Sequence, residues 1–218
     1  MQADFTVSGK VIGKYHLQID EINQLNETFD AKKSSLQDFS HKLAGNVKEE
    51  TNIMNMLSSV PIIYSMYSCM QDYVQNTAHL LKTKNTPIKD YHIDGAWIND
   101  MVEGDFNPPH VHRIDPVTKK ASGYSTVLFL KTPEIVTPTN LNKESMNGCL
   151  TFTTVDGENC ISFQPAVGDF YIFQASHQHF VMPFKLKHKD RIRRSLSFNF
   201  TTIFENHQPS KSDSSMAP

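Results

Sequence analysis

The sequence predicts a mainly β chain with N-terminal helices, an α+β fold whose core is an antiparallel sandwich or barrel. Three observations carry this reading. Apolar residues at three- and four-residue intervals fall in the first 86 positions. After Pro87, short runs rich in Val, Ile, Phe and Thr alternate with Gly, Pro, Asn and Asp, and no helical pattern interrupts them. The chain has 218 residues, 39% hydrophobic and 20% charged, enough for one sizeable packed core.

Taken in order, residues 5–17 read as one strand through Val7, Val11, Ile12, Tyr15 and Leu17, kinked or bulged near Gly9 and Gly13. Ile19, Ile22, Leu25 and Phe29 predict a helix over 19–28. Residues 32–46 are polar and irregular. A short helix then precedes a long one over 62–82, and their Met and Tyr stripe (Met56, Tyr67, Met70, Tyr73) reads as core packing. Strands follow at 91–101, 124–131, 149–154, 160–163, 169–174, 178–182 and 194–204. The Ser-, Pro- and Lys-rich tail over 206–218 reads as disordered. The domain expectation is therefore a single unit over 1–205, with 1–86 a strand plus helical buttress and 87–205 the β core. There is no internal repeat and no P-loop, dinucleotide fingerprint or nucleophile-elbow motif.

The formal net charge is −2, which argues against a dedicated nucleic-acid binder. The cysteines (Cys69, Cys149, Cys160) are odd in number and lack C-x-x-C spacing. They read as buried thiols outside any disulfide, in a reducing cytoplasm. The N-terminus has no secretory pattern, and Pro61 and Ser65 interrupt the longest apolar stretch, over 60–67. No membrane association is expected. Oligomeric state is not readable.

The chemistry lies in Asn107-Pro108-Pro109-His110-Val111-His112, in His179, and in Arg193-Arg194-Ser195. Pro108 and Pro109 forbid a helix, and on an extended backbone His110 and His112 face one way. Imidazole suits iron, zinc or copper, and a third imidazole on a distant strand completes three ligands on one side of a metal. His177 has the same two-residue relation to His179, so spacing alone does not separate them. As a loop residue, His177 reads as exposed or as supporting the site. On the last strand Arg193, Ser195 and Ser197 share a face opposite Arg194, Leu196 and Phe198. A guanidinium beside a hydroxyl binds a terminal carboxylate well. The order of these residues points to a mononuclear iron site with an anionic co-substrate.

These residues make the chain resemble the Fe(II)- and 2-oxoglutarate-dependent oxygenases, and within them a small prolyl-4-hydroxylase-like group found in tailed phages of marine bacteria. The resemblance covers about 43–200. It rests on Trp97-Ile98-Asn99, Gly104-Asp105-Phe106 leading into His110-Val111-His112, Gly148-Cys149-Leu150-Thr151-Phe152, Pro165-Ala166-Val167-Gly168-Asp169, His179-Phe180-Val181-Met182-Pro183-Phe184 and the Arg193–Phe200 strand. It implies a double-stranded β-helix, a jelly-roll or cupin-like fold. His110 and His179 match the family's iron-binding histidines, and Arg193 and Ser195 match the pair that holds the far carboxylate of 2-oxoglutarate. Asn99 belongs to the W-x-N element, and Tyr124 and Ser125 on a neighbouring strand are candidates to line the co-substrate pocket.

One position departs from the wider family, where the second residue of H-x-D/E is a carboxylate. Here it is His112, with Asp115 three residues on. Three ligand sets follow: His112 as third ligand, favoured by its extended geometry; Asp115 swinging in; or two histidines with water.

The resemblance implies an oxidoreductase that hydroxylates a protein or peptide side chain, proline first. It would use Fe(II), 2-oxoglutarate and O2, give succinate and carbon dioxide, and take ascorbate as helper. A phage-encoded chain would work in the host cytoplasm. The alternatives are an oxygenase of a small molecule or nucleobase, and a non-catalytic jelly roll that binds metal and 2-oxoglutarate. The stretches 113–123, with Lys119-Lys120, and 133–147 flank the expected entrance as lid candidates.

Overall fold

The computed structural model describes residues 3–7, 9–40, 45–78, 88–112, 123–136 and 145–204. The 206–218 tail, Asp115 and the Lys119-Lys120 pair lie outside the described residues. Among the described residues an eight-stranded and a four-stranded antiparallel sheet pack together as a double-stranded β-helix.

The N-terminal stretch is a hairpin, β1 (Asp4–Val7) and β2 (Val11–His16), rather than the single bulged strand the alternation predicts. Gly9, at φ 82°, reverses the chain. Gly13 is no kink. It lies within β2, and a Cβ there would sit 2.6 Å from the Tyr73 ring, so the glycine admits a helix side chain against the strand.

Helix α1 (Ile19–Lys32) runs past its predicted end and buries Ile22, Leu25 and Phe29. Asp20 and Glu21 in its first turn and Lys32 in its last suit the helix dipole. The stretch read as irregular contains a 3-10 turn and the two-residue strand β3 (Gln37–Asp38). Strand β4 (Glu49–Asn52), unforeseen, pairs with β3 on one side and β5 (Ile88–Met101) on the other. Helices α2 (Met54–Leu57) and α3 (Ile62–Thr77) follow the predicted short-then-long order; the end once expected at 82 falls outside the described residues. Met70 and Tyr73 of the predicted stripe are buried, together with Met66, Cys69 and Val74, while Tyr67 is half-buried. Ser65 Oγ donates to Glu21 Oε1 at 2.6 Å and ties α3 to α1.

The remaining strands are β6 (Asn107–His110), β7 (Tyr124–Lys131), β8 (Leu150–Thr153), β9 (Cys160–Phe163), β10 (Asp169–Gln174), β11 (His179–Val181) and β12 (Arg193–Phe204). The large sheet runs β1-β2-β10-β7-β12-β5-β4-β3 and the small one β6-β11-β8-β9. Alternation sorts the large sheet's side chains. Leu128, Leu196, Phe198 and Phe200 face the helices. Ile12, Val127, Phe129, Tyr171 and Phe173 face Leu150 and Phe152 of the small sheet. The candidate site opens in this inter-sheet layer. No cysteine is in a disulfide; Cys69 and Cys149 are buried as expected, whereas Cys160 is exposed.

Candidate metal centre

Strand β6 carries Pro108 and Pro109 because it is the edge of the small sheet, where a missing N–H leaves no ladder bond unmade. Its approach is anchored by Asp105, 5% exposed, whose Oδ2 accepts from the N–H groups of Lys48 and Val102, both at 2.8 Å. β6 pairs with β11 in a register that sets His110 opposite His179. His112 lies two residues beyond the strand's end, held by its N–H to the Ala175 carbonyl at 2.9 Å. The three rings converge. Centroids are 4.8 Å apart for His110 and His112, 4.3 Å for His110 and His179, and 5.0 Å for His112 and His179. One nitrogen from each lies within 4.8 Å of the others.

The local chain fixes two tautomers. His110 Nδ1 is 2.7 Å from the Pro108 carbonyl and His179 Nδ1 is 3.0 Å from the His177 carbonyl, so each Nδ1–H donates and each Nε2 keeps its lone pair. His112 Nε2 lies 3.3 Å from His179 Nε2. Two nitrogens bound at about 2.1 Å to one ion, at angles from square to tetrahedral, are separated by about 3.0–3.4 Å. The observed spacing therefore fits two ligands of one metal. Burial, with the neighbouring His110, pushes His112 down to about 3; burial also lowers His110, and with both neighbours lowers His179. The cluster is neutral at pH 7, the state that binds a cation.

Arg193 stands on the cavity side of β12 and is 2% exposed. Its Nη1 donates to Met101 Sδ at 3.2 Å and its guanidinium lies 4.8 Å from the Phe129 ring centre. Among the described residues no carboxylate pairs with it, and its Nε has no hydrogen-bond partner. Burial pulls its pKa down to about 10. A buried cation with an orphaned donor is incomplete, and an anion would complete it. The same cavity is lined by His110, His112, His179, Asn99 and Ser195, so the histidine cluster and the unpaired guanidinium share one space. An iron with a dicarboxylate between the two fits these donors.

Tyr124 is a correction. Its ring packs on Tyr73 and Phe200, at 5.7 and 5.0 Å, in the helix-facing layer away from the histidines. Strand alternation turns Ser125, not Tyr124, to the other face, where Ser125 Oγ donates to Asn199 Oδ1 at 2.6 Å. His177 is buried, with Nε2 3.0 Å from the Thr153 carbonyl, which excludes the exposed reading. It touches the cluster through its backbone carbonyl.

Asn99 lines the cavity between an acceptor, Glu50 Oε2, and a donor, Trp97 Nε1, which assigns the orientation of its amide: Nδ2 turned to donate to Glu50 Oε2 at 2.9 Å and Oδ1 turned to accept from Trp97 Nε1 at 3.2 Å. Glu50 and Met101 were not singled out by sequence. Met101 could have been found, since it shares the alternating face of Trp97 and Asn99 on β5; Glu50 depends on pairing with a strand no pattern announced. Beside the cavity, sharing Trp97, Asn107, His110 and His112 with it, is an open cleft of ≈ 620 Å³ that also exposes Phe39, Asn52 and Asp94.

Residues 95–199 match the model of the family described as "Putative 2OG-Fe(II) oxygenase". No curated protein is similar to the chain in sequence. Among solved structures it is similar in fold to a Pseudomonas putida prolyl-4-hydroxylase, at 16% identity and TM-score 0.57, covering 87% of this chain and 91% of that one. The viral collagen prolyl hydroxylase of Paramecium Bursaria Chlorella virus-1, solved as a 2OG complex, gives 15% identity and TM-score 0.56 over 87% and 94%. A Trichoplax adhaerens prolyl hydroxylase, solved with a hypoxia inducible factor peptide fragment, gives 12% and 0.56 over 89% and 84%.

Proposed function

We propose that this protein, which belongs through residues 95–199 to the 2OG-Fe(II) oxygenases and is therefore a dioxygenase, hydroxylates a protein or peptide side chain, with a prolyl residue the first substrate to test. The family implies Fe(II) and 2-oxoglutarate. The observation that carries the reading is the pairing, across one cavity, of three imidazoles with a buried guanidinium that no carboxylate pairs among the described residues.

His110 and His179 are the ligands through Nε2, and His112 completes a three-histidine set. Three neutral ligands leave the ion's double charge uncompensated and favour an anionic chelator. Arg193 and Ser195 hold the distal carboxylate of 2-oxoglutarate, beside Met101 and Asn99. When bound, Fe(II) and 2-oxoglutarate supply the oxidation: O2 is consumed, succinate and carbon dioxide leave, and a substrate C–H becomes C–OH. The chain's own task is to orient both reactants and shield them. Ascorbate serves as the reductant that keeps iron ferrous. Residues 1–205 act as one domain, since β1 and β2 extend the sheet that carries Arg193 and α1 and α3 cover its other face.

A peptide is favoured over a small molecule because the cleft beside His110 and His112 is open and, at ≈ 620 Å³, roomy. The net charge of −2 speaks against a polynucleotide. The test is succinate release with Fe(II), 2-oxoglutarate and ascorbate across a peptide library, with His179→Ala as control. A gain of one oxygen on a peptide, absent with the variant, is expected. Absence of turnover, coupled or uncoupled, would leave the binding module instead.

A further inference from the structure

We propose that Glu50 is a positioning residue of this centre: acting through Asn99, it holds the Trp97 indole against His112. The inference rests on the three-histidine reading above. Of the three histidines, His110 and His179 are each oriented by a bond from Nδ1 to a backbone carbonyl. Among the described residues His112 has no such bond; its ring contacts are the other two histidines and Trp97, whose ring centre lies 5.8 Å away at a 39° tilt. Packing against the indole therefore does for His112 what a carbonyl does for the others.

The indole needs an anchor in turn. Its Nε1–H is a donor only, and Asn99 Oδ1 accepts it at 3.2 Å. An Asn amide can turn over and exchange its donor and acceptor, which would set an NH2 against the indole N–H. Glu50 forbids this. A carboxylate only accepts, so Nδ2 must face Glu50 Oε2, 2.9 Å away, and Oδ1 must face Trp97. The bond is charge-assisted, and Glu50 is 7% exposed, so water competes little for it. Register supplies the geometry: Glu50 lies opposite Asn99 in the β4–β5 pair, and Trp97 and Asn99 share the cavity-facing side of β5. The link has one polarity and runs from a buried carboxylate to the face of His112.

Trp97 is the single tryptophan of the chain, so intrinsic emission reads this residue alone. The experiment uses Co(II) alone, with no 2-oxoglutarate or peptide. Visible d–d absorption reports coordination, and quenching and anisotropy of the emission report the indole. Glu50→Gln is expected to lower Trp97 anisotropy and weaken Co(II) binding roughly 10- to 100-fold, as lost supporting contacts do at metal sites. The double variant Glu50→Gln/Asn99→Asp exchanges amide and carboxylate, rebuilds both hydrogen bonds and should restore both readouts. Trp97→Phe breaks the link from its other end and should give the same loss of affinity, with no further loss when Glu50→Gln is added. Unchanged affinity in Glu50→Gln, or an equal second loss in the Trp97→Phe background, overturns the inference while the three-histidine centre stands. Wild-type protein that takes up no Co(II) overturns both.

Discussion

Arg193 and Arg194 are neighbours in sequence and opposites in environment, because β12 turns successive side chains to opposite faces. Arg194 faces α1, where Nε and Nη2 grip Asp100 at 2.6 and 2.9 Å and Nη1 reaches Asp30 at 2.7 Å. Arg193 faces the cavity with a thioether and a ring for company. Opposite mutational outcomes follow. Arg193→Met should leave the thermal midpoint of the apoprotein unchanged or raised, since an apolar side chain replaces an unpaired buried cation. The same change should weaken 2-oxoglutarate binding about 100-fold or more by calorimetry, the equivalent of losing about 3 kcal/mol of charge-assisted bonding. A large fall in apoprotein stability would show that Arg193 is structural. Asp100→Asn, by contrast, should cost up to about 3 kcal/mol at pH 7, because it removes the buried carboxylate that two nitrogens of Arg194 grip and leaves only the half-exposed Asp30 to pair with it. Burial alone would raise the Asp100 pKa; hydrogen bonds from Arg194 and Lys33 outweigh it and hold the carboxyl below its ordinary range. A carboxyl depressed on folding stabilises fully above its unfolded value near about 3.9, and that stabilisation is lost as pH falls through the folded value. Urea midpoints should therefore show the gap between wild type and Asp100→Asn shrinking below about pH 4. A gap that is the same at pH 7 and pH 3 would exclude the ion pair as its source.

At the scale of elements, the packing of α3 on β2 turns on a missing side chain. Tyr73 lies over Gly13, fixed by its hydroxyl donating to the Val11 carbonyl at 2.8 Å. Gly13→Ala should destabilise by about 1–3 kcal/mol in denaturant titration, because the ring must shift out of a satisfied position. A neutral result would mean that α3 floats on the sheet. How far such elements were legible depended on what sets them. Strands after Pro87 and the buried stripe of α3 were readable because a nonpolar period writes them. β4 was not, because Glu49-Glu50-Thr51-Asn52 has no apolar alternation; its buried members are polar residues satisfied across the sheet. The hairpin was hidden because β1 and β2 read as one run until Gly9 turned it. Within the site, His110 with His112 and Arg193 with Ser195 stood out as candidates because two-residue spacing on extended backbone gives each pair one face, whereas His179 was told apart from His177 by the family resemblance alone. The Glu50–Asn99–Trp97 link was invisible, since it depends on the register between strands far apart in sequence. Tyr124 was misassigned because a pocket-lining role given to two successive residues ignores the pleat, which allows only one of them that face.

For the whole molecule, the strand carrying the two arginines is also central to the large sheet: β12 pairs with β5 along one side and β7 along the other. Without it β5, β4 and β3 are parted from β7, β10 and β2. A chain cut after residue 190 should therefore lack the folded sheet, and its amide hydrogens should exchange within seconds instead of showing the protection of the intact protein. Protection retained in β5 and β7 would refute that. A ribosome, however, delivers the molecule in sequence order. All three histidines are made before the 12 residues of β12, which take roughly a second to add at about 5–20 residues per second. The newborn chain thus holds its ligands before it holds the strand that joins the sheet and buries Arg193. Assembly of this centre is therefore completed only once β12 has been made, after all three of its histidines.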